Sequence, residues 1–269
     1  GTYELEGKNT AFVFDMKKNY DEETMRTLDT LSSIQRDLVG FYPHNGQLLI
    51  VEERDSNVLA SPNTEFPIPV PLFVPANPDW FYFTHEYGHH FHGGNTRLTQ
   101  MLKDFYGESI PSLIAYTAME QAVSNPTKYG IPKSKLESIL GNLNSKKNDF
   151  LKDLSVYEEQ GSTFVNLEGP PKSYDPNNVY NGIMLRIREQ YGMESVRRFF
   201  EIFQPTESLD DSLLAEIQPK SQNQKHTMFV AAWSVAANAD LRPLFYKWNY
   251  PIDEAYYSLV HPKLSKMIK

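Results

Sequence analysis

The sequence predicts an α+β fold, with a small mixed sheet near the amino terminus and helices over the remainder of the chain. Short apolar runs typical of strands precede Trp80, whereas apolar residues recur at helical spacing from Trp80 onward. The length of 269 residues suits one large domain or two small ones that share a cleft. We expect a strand-containing part with the site helices at residues 1–160 and a helical lobe at residues 161–269, together forming one catalytic unit.

The amino-terminal part contains two predicted strands, Thr10–Met16 and Gln47–Glu53. Between them, Asp21 can cap a helix that Gly40 ends. The segment Glu65–Pro75 is apolar but contains four prolines, which cannot donate hydrogen bonds to a sheet, so it is an edge strand or an extended connector. As an edge strand it could pair with a substrate peptide, and as a connector it would only join elements.

The elements predicted downstream are helices. Asp79 can cap the first of them, and the pair Gly93-Gly94 can end it. The loop Gly161–Asn178 is rich in Gly, Pro, Asn and Ser, so it is the best candidate for the lobe boundary. The other predicted helices are Asn95–Tyr106, Glu108–Ser124, Pro132–Gln160, Val179–Tyr191, Met193–Phe203, Ser208–Ile217, His226–Ala239, Leu241–Trp248 and Asp253–Ile268.

Composition excludes several classes of function. The net charge of −8 argues against nucleic acid or an anionic membrane as a partner. The absence of cysteine excludes a thiolate metal site, a cysteine nucleophile and disulfides. No apolar run approaches the length of a membrane span. We expect an extracellular or cell-envelope location rather than a cytoplasmic one.

The sequence His85-Glu86-Tyr87-Gly88-His89 is the most specific feature of the chain. Residues four apart lie on the same face of a helix, so His85 and His89 can offer two imidazoles to one metal ion. Catalytic zinc takes three nitrogen or oxygen ligands from the protein and keeps one position for water, whose pKa falls from about 15.7 toward roughly 7. Glu86 can accept a proton from that water and pass it to a leaving amine. The segment therefore predicts a zinc hydrolase.

The predicted third ligand is Glu108, which follows His89 after eighteen intervening residues. A helix, a two-glycine turn and a second helix fit in that interval, so Glu108 can return to the first helix. Rival ligands are His92, Asp104 and Glu120. The remaining histidines are expected to have other roles: His90 is exposed or supports a ligand, whereas His44, His226 and His261 are structural.

The zinc motif resembles that of the gluzincin peptidases. The eighteen-residue interval before Glu108 is most similar to that of the aminopeptidase-N and leukotriene-A4-hydrolase group. Three further segments look like parts of that group, namely Phe41–Glu53, Val179–Phe203 and Phe229–Pro251. The resemblance implies a thermolysin-like α+β catalytic domain that hydrolyses a peptide or protein substrate with zinc.

The resemblance also implies a tyrosine that stabilises the oxyanion of the transition state. Tyr180 is the matching position, and Tyr174 is the alternate. Tyr180 and Gly182 are separated by one residue, whereas the family separates the corresponding pair by two.

Two departures bear on specificity. The segment Gly-x-Met-Glu-Asn, with which the aminopeptidases hold the substrate amino terminus, has no counterpart before His85, and Gly107 stands where that group has asparagine. The pattern also resembles enhancin-like metallopeptidases, which act on glycoproteins. An endopeptidase is therefore favoured over an aminopeptidase. The alternatives are an inactive peptidase-like module that binds an extended peptide or glycoprotein, and a structural metal site.

Overall fold

A small mixed sheet is formed by the strands β1 (Thr2–Glu6), β2 (Thr10–Asp15), β3 (Leu48–Glu53) and β4 (Glu65–Pro69), in that order. β1 and β2 are antiparallel, whereas β2 pairs with β3 and β3 with β4 in parallel. Both predicted strands are confirmed, and β1 is an addition. β4 lies at the edge, where its prolines are tolerated.

In the computed structural model of the protein, the described residues are 2–15, 21–40, 48–53, 65–69, 78–94, 102, 106–162, 164, 173–204 and 211–268. They belong to two compact units. Unit 1 contains residues 1–94 and 110–146, and unit 2 contains residues 95–109 and 147–269. The predicted division into lobes at residues 160 and 161 stays a prediction.

The predicted fold class, an α+β thermolysin-like domain, is wrong. Helices contain most of the described residues, and the small sheet ends at Pro69. Among the side chains that the structure describes, the largest fully buried ones lie mainly on helices, so the described core is formed mostly by helix packing. The strand patterns correctly located the sheet, but local patterns do not determine which elements build the core.

Unit 1 places the sheet beside helix α1 (Glu22–Val39) and helix α2 (Trp80–Gly94). The predicted ends of α1 are confirmed: Asp21 accepts a hydrogen bond from the backbone N–H of Glu23, and Gly40 adopts φ 69°. The amide of Gln35 in α1 donates to the carbonyl of Thr84 in α2 at 2.6 Å. The remaining helices of this unit are α3 (Ser109–Ser124) from its second residue onward, α4 (Pro126–Tyr129) and the first part of α5 (Lys133–Glu159).

Unit 2 is helical in its described part. Its core is aromatic: Phe199 stacks on Trp233 with ring centroids 4.4 Å apart. The helices that follow α5 are α6 (Pro176–Tyr191), α7 (Met193–Ile202), α8 (Asp211–Ile217), α9 (Gln222–Ala237), α10 (Arg242–Lys247) and α11 (Glu254–Ser265). Among the helices described in either unit, none combines the length and apolar character that crossing a membrane requires.

Candidate metal centre

The amino-terminal end of α2 is held by three hydrogen bonds. The carboxylate of Asp79 accepts from the backbone N–H of Tyr82 at 2.9 Å, which confirms the predicted N-cap. The side chain of Asn142 in α5 accepts from the N–H of Phe81 at 2.6 Å, and the indole of Trp80 donates to Ser138 at 2.9 Å. Because both partners in α5 belong to unit 1, the first turn of α2 is fixed before the site residues begin.

One face of α2 is accessible, and the rest of the helix is buried. From Trp80 to Phe91, only Tyr82, His85 and His89 are partly exposed. Their spacing of three and four residues places them on the same face. Glu86 adjoins that face but is only 4% exposed. The helix therefore presents its two histidines to solvent and keeps the carboxylate between them largely buried.

The two histidines converge through the same ring nitrogen. The Nε2 atoms of His85 and His89 lie 3.1 Å apart. Two nitrogens bound to one tetrahedral zinc ion at about 2.05 Å are separated by about 3.3 Å. At 3.1 Å the two nitrogens are also within hydrogen-bond distance of each other when no metal is bound. The ring geometry therefore fits a zinc ion with little rearrangement.

Ser112 on α3 contacts the second ring nitrogen of His85, Nδ1, which is not the nitrogen that faces His89. Its hydroxyl oxygen is 2.9 Å from Nδ1 of His85, and the serine is buried. A hydrogen bond donated by Nδ1 fixes the tautomer and leaves Nε2 as the atom that can bind metal. Sequence reasoning missed this residue. Its position could have indicated a role at the site, because Ser112 follows the predicted ligand Glu108 by four residues, which is about one helical turn.

Gly88 permits the close approach of α2 and α3. A Cβ atom at this position would lie 3.0 Å from the carbonyl oxygen of Pro111 and 3.1 Å from its Cα atom. Because both are backbone atoms, neither could rotate away. The glycine of the motif therefore allows Ser112, the neighbour of Pro111, to reach His85.

Glu108 lies in the turn directly before α3 and is exposed. The predicted helix began at Glu108, whereas α3 begins at Ser109. The ligand atoms of His85, His89 and Glu108 all lie within 4.8 Å of one another. This is the only group of three such residues found within the described part of the chain. Because ligand atoms of one tetrahedral zinc are about 3.3 Å apart, the carboxylate would move inward by at most about 1.5 Å on binding.

Of the rival ligands, Glu120 is described and is not part of this group. Asp104 and the side chain of His92 lie outside the described residues, so those two alternatives stay open. His90 is buried against Tyr87, so the expectation that it is exposed is wrong.

The other two described histidines, His226 and His261, are not part of the group either. His226 is buried, His261 stacks on Tyr257, and His44 lies outside the described residues. A structural role agrees with the first two positions.

Tyr82 was also missed by sequence reasoning. It lies three residues before His85, and that spacing could have indicated that it shares the accessible face of α2 with the two histidines. Its hydroxyl is buried and has no hydrogen-bond partner among the described residues. Burial first, and then the negative charge of Glu86, raise the pKa of Tyr82 well above its usual value. A neutral phenol therefore lies in the electrostatic field of Glu86.

The two predicted oxyanion tyrosines belong to the aromatic core of unit 2. Tyr180 is 3% exposed and lies within α6 rather than before it. Its ring is 4.8 Å from that of Tyr106. Tyr174 precedes α6, and burial raises its pKa. A role for Tyr180 in oxyanion stabilisation stays a prediction.

Comparison with known proteins identifies a related fold but no family. No protein-family model and no curated protein matches the chain. The chain is similar to the crystal structure of a functionally unknown conserved protein mutant from Bacillus anthracis strain Ames, at 16% identity and a TM-score of 0.63. It is also similar to that of a functionally unknown conserved protein from the same strain, at 17% identity and a TM-score of 0.61.

Both matches cover 99% of this chain but 51% of the other, so the chain spans about half the length of those proteins. At this identity the likeness shows a shared fold and nothing about activity. The fold is therefore that of these uncharacterised proteins, which supports the correction of the thermolysin-like class.

Proposed function

We propose that the protein is a zinc-dependent peptidase in which His85, His89 and Glu108 hold the metal and Glu86 is the general base. The observation that carries the proposal is the convergence of the two histidine Nε2 atoms at 3.1 Å, with a Glu108 carboxylate oxygen within 4.8 Å. The hydrogen bond between Nδ1 of His85 and the hydroxyl of Ser112 supports it, because metal-binding histidines usually have a hydrogen-bond partner on the second ring nitrogen.

Each side chain of the proposed site has a separate role in the hydrolysis of a peptide bond. Bound zinc would polarise the scissile carbonyl and lower the pKa of a water molecule to about 7. Glu86 would accept the proton of that water and deliver it to the leaving amine. Its burial excludes most competing water, which strengthens its electrostatic interactions. Tyr180 is proposed as the oxyanion donor on the resemblance to gluzincins alone.

The proposed substrate is a peptide or protein that is cleaved internally. The aminopeptidase segment that holds a free amino terminus has no counterpart before His85. Within the described residues, β4 has a strand neighbour on one side only, and an extended peptide can pair with such an edge. Both observations favour an endopeptidase.

The decisive experiment compares Glu86→Gln with the wild type on a mixed peptide library whose cleavage products are sequenced. Glu86→Gln should retain stoichiometric zinc and lose about 10²–10⁴-fold in hydrolysis, since general acid–base catalysis contributes that much. The control is Glu120→Gln, a carboxylate on α3 that lies outside the ligand group. It should retain both zinc and activity.

Each outcome of this comparison discriminates between hypotheses. Full activity in Glu86→Gln would contradict the mechanism. A wild type that binds zinc but cleaves no peptide in the library would favour the alternative, an inactive module that binds an extended peptide or glycoprotein. New termini within the peptides would identify an endopeptidase, whereas loss of single amino-terminal residues would identify an aminopeptidase.

A further inference from the structure

Glu108 is exposed, but it is carried between two fully buried residues. Tyr106 and Ser109 both have 0% exposure, and only Gly107 and Glu108 form the turn between them. All four residues belong to unit 2. The backbone that carries the proposed third ligand is therefore restrained on both sides, although the side chain of that ligand is exposed.

The restraint on the amino-terminal side is Tyr106. Its ring stacks on Phe229 of α9, with centroids 4.1 Å apart and an interplanar angle of 9°. Its hydroxyl is 3.0 Å from Nδ1 of His226, also on α9. Burial lowers the pKa of His226 to about 4, so the ring is neutral near pH 7 and Nδ1 can accept the phenolic proton. The hydrogen bond to His226 fixes the position of the Tyr106 ring on Phe229, which stacking alone would not determine.

The restraint on the carboxyl-terminal side is Ser109. Its hydroxyl donates to Asn177 in the first turn of α6, at 3.2 Å from the side-chain oxygen and 3.5 Å from the backbone oxygen. Ser109 is also the first residue of α3. The turn that contains Glu108 is thus attached to α9 at one end and to α6 at the other.

We infer that Tyr106 and Ser109 are positioning residues for Glu108, which set the affinity of the metal centre without touching the metal. The inference rests on the proposed function, because it assigns Glu108 as a zinc ligand. An exposed glutamate on a mobile loop would lose backbone and side-chain freedom on binding, and that loss would weaken affinity. With the backbone of the turn already ordered, only the side chain of Glu108 must be fixed.

The test uses Tyr106→Phe, which keeps the stacked ring and removes only the hydroxyl. The matched control is Tyr157→Phe. Tyr157 is also buried in unit 2, and its hydroxyl donates to the carbonyl oxygens of Trp248 at 2.6 Å and Ser162 at 3.2 Å. Both variants lose a buried hydrogen bond, but only Tyr106 adjoins the Glu108 turn. Both should therefore lower the thermal midpoint of the metal-free protein.

Zinc affinity, measured by competition with a chromophoric chelator, should separate the two variants. Tyr106→Phe should weaken zinc binding by about 10-fold, the lower end of the effect of residues that support metal ligands. Tyr157→Phe should bind zinc as the wild type does. The visible spectrum of the cobalt-substituted protein gives a second readout, which should change in Tyr106→Phe and remain unchanged in Tyr157→Phe.

A second pair of variants tests the other restraint. Ser109→Ala should also weaken zinc binding by several-fold. Its control is Ser195→Ala, which removes a buried serine near the start of α7 whose hydroxyl donates to the carbonyl of Gly192 at 2.7 Å. That control should leave zinc affinity unchanged.

Glu108→Ala distinguishes failure of the inference from failure of the metal site. If Glu108→Ala weakens zinc binding while Tyr106→Phe and Ser109→Ala match their controls, the positioning role is overturned and the metal centre stands. If Glu108→Ala binds zinc as tightly as the wild type, Glu108 is not a ligand, and both the proposed site and this inference fail.

Discussion

The Nε2 atoms of His85 and His89 lie 3.1 Å apart on adjacent turns of α2. Their helical spacing brings the two rings together, but the hydrogen bond of the first ring to Ser112 determines which nitrogen faces the shared point. Two neutral imidazoles whose Nε2 atoms face the same point are the requirement for a metal site that forms without rebuilding the helix. The predictions below follow from this arrangement and from the packing that supports it.

Replacement of Ser112 by alanine should weaken zinc binding by about 10-fold, because the His85 ring loses the partner that fixes its tautomer and orientation. Zinc affinity measured by chelator competition checks this. The control is Ser138→Ala, which removes a serine that also bonds a side chain of α2, namely the indole of Trp80. Equal affinities in the two variants would contradict the role of Ser112.

Replacement of Gly88 by alanine should lower the free energy of unfolding by about 1–3 kcal/mol, the usual cost of overpacking a close contact. The new Cβ atom would meet the backbone of Pro111 at 3.0–3.1 Å. The displacement of α3 should also weaken zinc binding. Urea unfolding of the metal-free protein measures the first effect, and chelator competition measures the second.

Gly141 supplies the matched control for Gly88. It lies within α5, and a Cβ atom there would meet nothing within 4 Å. Gly141→Ala should stabilise the protein by about 0.5–1 kcal/mol, because alanine favours a helix interior more than glycine does. If Gly88→Ala also proved stabilising, the close packing of α2 on α3 would be incorrect.

Protein stability should fall on acidification because of His226. Burial lowers its folded-state pKa to about 4, whereas the unfolded value is near 6.5. The unfolded chain therefore binds a proton first as pH falls, and stability that is fully present above about pH 6.5 is lost progressively toward pH 4. From pH 7.5 to pH 5 the loss should be about 2 kcal/mol.

Urea unfolding at the two pH values, in the presence of a chelator, measures this loss without a contribution from bound metal. The variant His226→Gln lacks the titrating group, so its free energy of unfolding should change less over the same range. If the free energy of unfolding of the wild type fell no more steeply with pH than that of His226→Gln, His226 would be excluded as the source of the acid destabilisation.

Zinc should raise thermal stability by an amount that increases with the logarithm of the ratio of its concentration to its Kd. A ligand that binds only the folded state adds about 2.7 kcal/mol at a concentration 100 times its Kd. A chelator should reverse the shift, and His89→Ala should abolish it. Magnesium provides the control, because a site with two imidazoles suits zinc better than a hard cation. An equal shift with magnesium would argue against the proposed ligand set.

Local signals of the sequence predicted much of the backbone. Asp21, Gly40 and Asp79 marked helix ends correctly, because capping depends on residues that are adjacent in the chain. The prolines of Glu65–Pro75 limited that segment to an edge strand or an extended connector, because a missing N–H is a property of the residue itself, and the structure shows an edge strand over Glu65–Pro69. The fold class was wrong, because the same patterns carry no information on which elements pack into the core.

The sequence by itself determined the pairing of His85 with His89 and the position of Glu86 between them, because helix geometry alone places residues four apart on one face. Only the tertiary structure decided the rest of the site. Ser112 bonds to His85 because α3 packs against α2 at Gly88, and Glu108 approaches the histidines through the turn that precedes α3. These contacts join residues that are distant in the chain, and such proximity depends on packing rather than on local spacing.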